Sequence, residues 1–274
     1  MTLNCQGKLL DLSVPKVMGI LNVTPDSFFD GGQYTSSTAL LKQAENMLQA
    51  GADFIDIGGY STKPNAVAVT EEDELQRVLP VVKALRKSFP TALLSIDTFR
   101  AKVAQAVLDE GVAVVNDISA GADEQMMSVV ASFRVPYVLM HMRGNPQTMQ
   151  SMTQYENLMQ ELIYYFAQKI KQAQAAGITD CILDPGFGFA KTTEQNFEML
   201  NQLEQFQVVQ APVLVGISRK SMIYKSLETT PDRALNGTTF LHAIALSKGA
   251  NVLRVHDVKE AVECIRLYQK LQGI

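Results

Sequence analysis

The chain has 274 residues, 47% hydrophobic and 19% charged, with a formal charge of −4. This suits a globular protein large enough for one α/β barrel or two small domains. Interspersed signs leave no basic footprint for nucleic acid or an anionic membrane surface, and no apolar run approaches the roughly 18 residues that span a bilayer.

The N-terminus lacks the basic-then-apolar layout of a signal peptide. Cys5, Cys181 and Cys264 fall at spacings unrelated to a disulfide framework or a zinc site, so a reducing cytoplasm is the expected location. Residues 1–14 read as a short hairpin or lid over a barrel bottom. From there, β-branched runs alternate with helical periodicity. KVMGILN (16–22) leads to ALLKQAENMLQAGA, and DFIDIGG (53–59) to EDELQRVLPVVKALRKSF. ALLSIDT (92–98) precedes FRAKVAQAVLDEG, and VAVVNDI (112–118) precedes DEQMMSVVASF. PYVLMHM (136–142) is followed by the long YENLMQELIYYFAQKIKQAQAAG, and CILDPG (181–186) by NFEMLNQLEQF. PVLVGIS (212–218) and NVLRVHD (251–257) complete the set, with FLHAIALSKGA between them and VKEAVECIRLYQKL at the end. Gly51, Gly111, Gly177 and Gly249 stand where helices stop before the next strand.

Eight strands alternating with helices predict a single-domain (β/α)8 TIM barrel with a short N-terminal extension. A doubly wound sheet is the structural alternative, but no G-x-G-x-x-G follows the first strand.

In each run the polar group comes last. Asn22 ends the first strand, Ser61-Thr62-Lys63 follow the second, Asp97 ends the third and Asn116-Asp117 the fourth. His141 ends the fifth and Asp184 the sixth; Ser218-Arg219-Lys220 follow the seventh, and Arg254 and His256 end the eighth. In a parallel barrel these ends converge on one mouth, where such folds build active sites. Asp, Asn and Ser also cap helices and form turns, and that explains any one position; it does not explain all the strand ends together. Arg254 and His256 share a strand face and, near Lys220, make a cationic corner suited to phosphate oxygens. Asp97, Asn116 and Asp184 suit a planar heterocycle rich in N–H donors, because a carboxylate in a barrel mouth needs something to donate to it. Histidine metal ligation is disfavoured, since His141, His242 and His256 lie on different elements. Cys181 and Cys264 sit at positions unsuited to a nucleophile, and no G-x-S-x-G elbow appears.

These blocks resemble the dihydropteroate synthase family. The resemblance runs through MGILNVTPDSFFDGG (18–32), DIGGYSTKP (56–64), SIDT (95–98), NDISAG (116–121), LMHMRGNPQTMQ (139–150), LDPGFGFAK (183–191), GISRKS (216–221) and LRVHDV (253–258). It implies condensation of hydroxymethyl-dihydropterin diphosphate with para-aminobenzoate to give dihydropteroate and diphosphate. It also implies that Asp97, Asn116, Asp184 and Lys220 hold the pterin, and that Asn22, Thr62, Arg254 and His256 hold the diphosphate, with magnesium (Mg2+) near Asn22. Phe28, Lys63, Phe189, Ser218 and Ser221 would shape the para-aminobenzoate site, with Met140 and Arg219 nearby. Asp97, Asp184, Lys220, Arg254 and His256 carry the catalytic expectations. A homodimer built on the late helices is implied as well; Phe240, Ile244 and Leu246 are compatible with it, and a buried core face explains them equally well.

The chain departs from the family pattern at Tyr60 and Lys63, where G-G-E-S-T-R-P-G is usual, and at Ala190, where glycine is usual. Lys63 keeps a charge but loses the planar fork of arginine. Ala190 is expected to be tolerated if its φ is negative. Two alternatives share the pterin positions: a pterin-binding methyltransferase domain, which has no use for a diphosphate corner, and a non-catalytic pterin-binding protein. Phe28 and Phe29, in a polar Gly/Pro-punctuated loop, suggest a lid that closes over the substrate.

Overall fold

The computed structural model describes residues 1–23, 33–60 and 69–273, with the backbone alone for 33–37. The expected lid around Phe28 and Phe29 lies outside the described residues, as do Thr62 and Lys63.

An antiparallel hairpin comes first, β1 (Thr2–Cys5) paired with β2 (Lys8–Asp11) around a Gln6-Gly7 turn. Eight parallel strands follow: β3 (Lys16–Asn22), β4 (Phe54–Gly58), β5 (Leu93–Asp97), β6 (Val114–Asp117), β7 (Tyr137–Met140), β8 (Cys181–Asp184), β9 (Leu214–Val215) and β10 (Val252–Val255). Their order is β8-β7-β6-β5-β4-β3-β10-β9, and a bridge between Leu183 and Val213 joins the two ends. The Leu183 N–H donates to the Pro212 carbonyl at 2.8 Å, closing the barrel.

Helices α1 (Gln33–Ala50), α2 (Glu71–Ser88), α3 (Ala101–Leu108), α4 (Met126–Phe133), α5 (Leu158–Ala175), α6 (Thr193–Asn201), α7 (Ser221–Ser226), α8 (Leu235–Ser247) and α9 (Val258–Gln272) surround it. Local chemistry sets their ends. Thr70 caps α2 by accepting from the Asp73 N–H, with four acidic residues in its first turn and Arg86 and Lys87 in its last. Thr192 and Gln195 form a reciprocal capping box at α6. The four glycines expected to stop helices all adopt positive φ.

Strand alternation splits the core in two. One face of each strand packs outward on the helices, through Val17, Leu21, Ile55, Ile57, Leu94, Ile96, Val115 and their neighbours. The other face fills the barrel floor, where Met18, Phe54, Leu93, Val114, Val138, Ile182, Leu214 and Val252 form a separate buried cluster. Leu3, Cys5 and Leu12 from the hairpin region join that cluster, so the hairpin plugs the end of the barrel opposite the strand C-termini. Two residues further along each strand, the inward positions become Ile20, Asp56, Ser95, Asn116, Met140, Asp184, Gly216 and Arg254. The floor is apolar and the level above it is polar. Below the mouth, the barrel is a packed core rather than a pore.

Candidate active site at the barrel mouth

Arg254 is the hub. Its Nε donates to Asp56 Oδ2 at 2.6 Å and its Nη2 to Asp97 Oδ2 at 2.7 Å. Two carboxylates flanking one guanidinium stabilise its charge, and they push its pKa further up despite burial. Asp97 moves the other way: burial raises it to about 7, Arg254 opposes the rise, and Asp56, Glu74 and Asp117 add to it. Asp56 Oδ2 also accepts from Asn116 Nδ2 at 3.0 Å. Asn22 ends β3 with its side chain exposed, and its register partner Gly58 leaves room for it. The Gly58 position lies between Asn22 and Asp97: a Cβ built there would stand 3.7 Å from both Asn22 Oδ1 and Asp97 Cβ, an ordinary contact distance.

Across the mouth, Asp184 Oδ1 accepts from the Gly186 N–H at 2.8 Å, and burial raises its pKa against the pull of Lys220. The Lys220 ammonium donates to the Phe187 carbonyl and lies 4.7 Å from the centre of the Phe189 ring. Burial lowers its pKa to about 8, with Asp184 resisting the fall. Ser218 Oγ and His256 Nδ1 are 3.1 Å apart, and the His256 N–H donates to the same hydroxyl at 3.2 Å. His256 is exposed at the rim, and partial desolvation there, with Arg254 next, lowers its imidazole to about 4. The cationic corner is therefore charged on Arg254 and Lys220, with His256 neutral near pH 7. Ser221 opens α7 directly after Lys220.

The fold thus brings Asn22, Asp97, Asn116, Asp184, Phe189, Ser218, Lys220, Ser221, Arg254 and His256 to the strand C-termini and the loops that follow them. Thr62, Lys63 and Phe28 belong to the same expectation but fall outside the described residues. Two expected neighbours turn elsewhere. Arg219 forms a two-bond pair with Asp257 (2.8 and 2.7 Å) and donates to the Pro231 and Asp232 carbonyls, tying two loops together. His141 is buried and edge-on to Tyr165, with its Nδ1 3.1 Å from Lys191 Nζ. Burial keeps this imidazole neutral, so it supports the β8–α6 loop from below.

Two residues escaped the sequence reading. Asp56 sits inside a run taken as apolar, although the alternation that exposes Arg254 also turns Asp56 inward. Lys191 is buried and donates to the Gly186 and Phe189 carbonyls at 3.2 and 3.0 Å, holding the loop that carries Phe189. Ala190 overturns its expectation: φ is +51° and the residue is fully buried. A non-glycine left-handed conformation costs on the order of 1 kcal/mol, and here the surrounding loop imposes it.

Among the described residues no group of three His, Cys, Asp or Glu side chains could hold a metal ion. The exposed Asn22 amide fits a magnesium that draws most of its oxygen ligands from a bound diphosphate and water. No helix among those residues is long and apolar enough to cross a membrane.

Residues 18–256 match the family described as pterin binding enzyme. The dihydropteroate synthase of Escherichia coli (strain K12) is 44% identical over 271 residues, covering 98% of this chain and 96% of that one. The crystal structure of the Yersinia pestis dihydropteroate synthase with a sulfonamide drug complex superposes with a TM-score of 0.93 at 42% identity, covering 100% of both chains. The Xanthomonas albilineans dihydropteroate synthase in complex with 7,8-dihydropteroate gives a TM-score of 0.89 at 36% identity, again over 100% of both.

Proposed function

The chain belongs to the pterin binding enzyme family, among its dihydropteroate synthases, and from that premise we propose how its own residues perform the reaction. The reaction is a transfer: hydroxymethyl-dihydropterin diphosphate condenses with para-aminobenzoate to give dihydropteroate and diphosphate. Asp97, Asn116 and Asp184 receive the donor edge of the pterin, and Lys220 lies against it beside the Phe189 ring. Arg254, at the boundary of the two half-sites, faces the diphosphate with Asn22, Thr62 and His256.

The carbon–oxygen bond to the diphosphate breaks as charge builds on the bridging oxygen, and the Arg254 guanidinium stabilises that charge. His256, neutral before substrate arrives, can donate a hydrogen bond or take up a proton as negative charge accumulates. Magnesium held at Asn22 would neutralise further charge on the diphosphate oxygens. The pterin shares the positive charge left on carbon, helped by ionised Asp184 and Asp97. The neutral arylamine of para-aminobenzoate then attacks, and no strong base is needed. Phe189, Ser218 and Ser221 shape the arylamine site together with Phe28 and Lys63, and aromatic walls there keep water from the cationic carbon.

Arg254 held between Asp56 and the pterin-side Asp97, two residues before His256 on the same strand face, is the observation that carries this reading. Three buried free cysteines suit the reducing cytoplasm proposed for it. Late helices that leave Phe240 and Leu267 exposed support a homodimer. Inorganic pyrophosphate release should require both substrates and magnesium. Release without para-aminobenzoate, or none with both substrates present, would overturn the assignment.

A further inference from the structure

Asp56 is fully buried at the centre of the barrel, one level above the apolar floor. Its Oδ2 accepts from Arg254 Nε at 2.6 Å and Asn116 Nδ2 at 3.0 Å. Its Oδ1 is buried without a partner among the described residues, as is the hydroxyl of Ser95, its register partner on β5. A buried carboxylate with one orphaned oxygen destabilises a fold, so stability alone does not account for it. A carboxylate can only accept, so Asn116 must present its amide N–H to Asp56. That leaves the Asn116 carbonyl oxygen and its second N–H, neither with a side-chain or backbone partner among the described residues, for a ligand.

We infer that Asp56 is a positioning residue for this reaction, fixing the amide orientation of Asn116 and the seat of Arg254 through one shared oxygen. This rests on the reading above. Before substrate arrives, Arg254 also occupies Asp97. When donors on the pterin take Asp97, Arg254 gives up that bond and keeps Asp56. It then remains beside the diphosphate instead of swinging free. The heterocycle meets an Asn116 that always offers the same oxygen, which selects a donor at that edge over an acceptor.

The test uses pterin as probe, titrated calorimetrically into the full-length protein. Asp56→Ala removes the shared oxygen, lets the amide of Asn116 flip and should weaken pterin at least tenfold. Asp56→Asn keeps that oxygen, because the guanidinium of Arg254 only donates and holds the amide with its oxygen inward, so pterin affinity there should stay within about threefold of wild type. In the wild-type protein, whatever the variants do, the Asn116 side-chain amide should give a nuclear magnetic resonance signal protected from solvent exchange. Pterin affinity within twofold of wild type in Asp56→Ala, a tenfold loss in Asp56→Asn, or a freely exchanging Asn116 amide would each overturn the role. Pyrophosphate release by the wild type reads the function separately, so failure of the positioning role leaves that reading standing.

Discussion

Asp97 and Lys220, two of the titrating side chains at the pterin half-site, are expected to bound the working pH. Asp97 must be ionised to accept from the heterocycle, and burial raises it to about 7. Lys220 must be protonated to carry its charge, and burial lowers it to about 8. The sign follows directly: kcat/KM for the pterin substrate rises as pH passes about 7 and falls as it passes about 8. The result is a narrow bell reporting the free enzyme. Lys220→Arg should remove the alkaline limb while leaving the acid one, since a guanidinium stays charged throughout. A profile flat from acid to alkali in the wild type would mean that neither group titrates against substrate. These residues were legible because alternation along a strand is strict: Asp97, Asp184 and Arg254 each close an apolar run on the inward face. Asp56 obeys the same rule, but it lies mid-run, where one acid among isoleucine and phenylalanine reads as an interruption. Only the three-dimensional meeting of β4, β6 and β10 shows its partners.

Among the elements, the loop between β8 and α6 is the most constrained. Gly186 has φ +72°, and a Cβ there would stand 2.0 Å from the His141 carbonyl oxygen, a backbone atom that cannot step aside. The same loop supplies the carbonyls that hold Lys191 and Lys220, and the ring beside Lys220. Gly186→Ala is therefore expected to cost on the order of 3 kcal/mol or more, read as a lower denaturant midpoint. Pyrophosphate release should fall further than stability explains, because Phe187 and Phe189 move with the loop. A variant with wild-type midpoint and turnover would show that the β7 end yields easily. Strands and helices themselves were largely legible, since period-two and period-3.6 patterns alternate along the chain. β9 is the instructive exception: PVLVGIS promised seven residues, yet only Leu214–Val215 enter the regular ladder. Pro212 has no N–H to donate, and beyond Val215 the chain turns, with the Lys220 N–H donating to the Ile217 carbonyl. Ala190 was misjudged for a related reason: its left-handed φ is imposed by the buried loop around it, and the residue type alone gives no sign of that.

At the scale of the whole molecule, Asp56, Asp97, Asn116 and Arg254 meet within one chain. Among the large apolar side chains left exposed, Phe240 and Leu267 lie on α8 and α9, which pack against each other. Phe240 is 64% exposed and Leu267 68%, whereas Leu246, for which interface and core were equally open, is buried in the core. Single exposed apolar side chains are ordinary, and a phenylalanine and a leucine by themselves do not prove an interface. The periodicity of FLHAIAL marks an apolar helix without saying which of its faces meets the barrel, so the sequence could not divide core from contact. The homodimer proposed above makes a definite claim: sedimentation equilibrium should give about twice the 30.1 kDa chain mass. Phe240→Asp places a charge where apolar surface would be covered, and should return the mass to that of a single chain. Because Asp97, Asp184, Lys220 and Arg254 stay together within each chain, this monomeric form should still release pyrophosphate. Its turnover should stay within about threefold of the parent, since a surface substitution far from the strand C-termini typically shifts stability by only about 0.5 kcal/mol. A single-chain mass for the wild type at every concentration would remove the dimer. A monomeric variant that folds but has lost activity would instead show that the mouth depends on its neighbour.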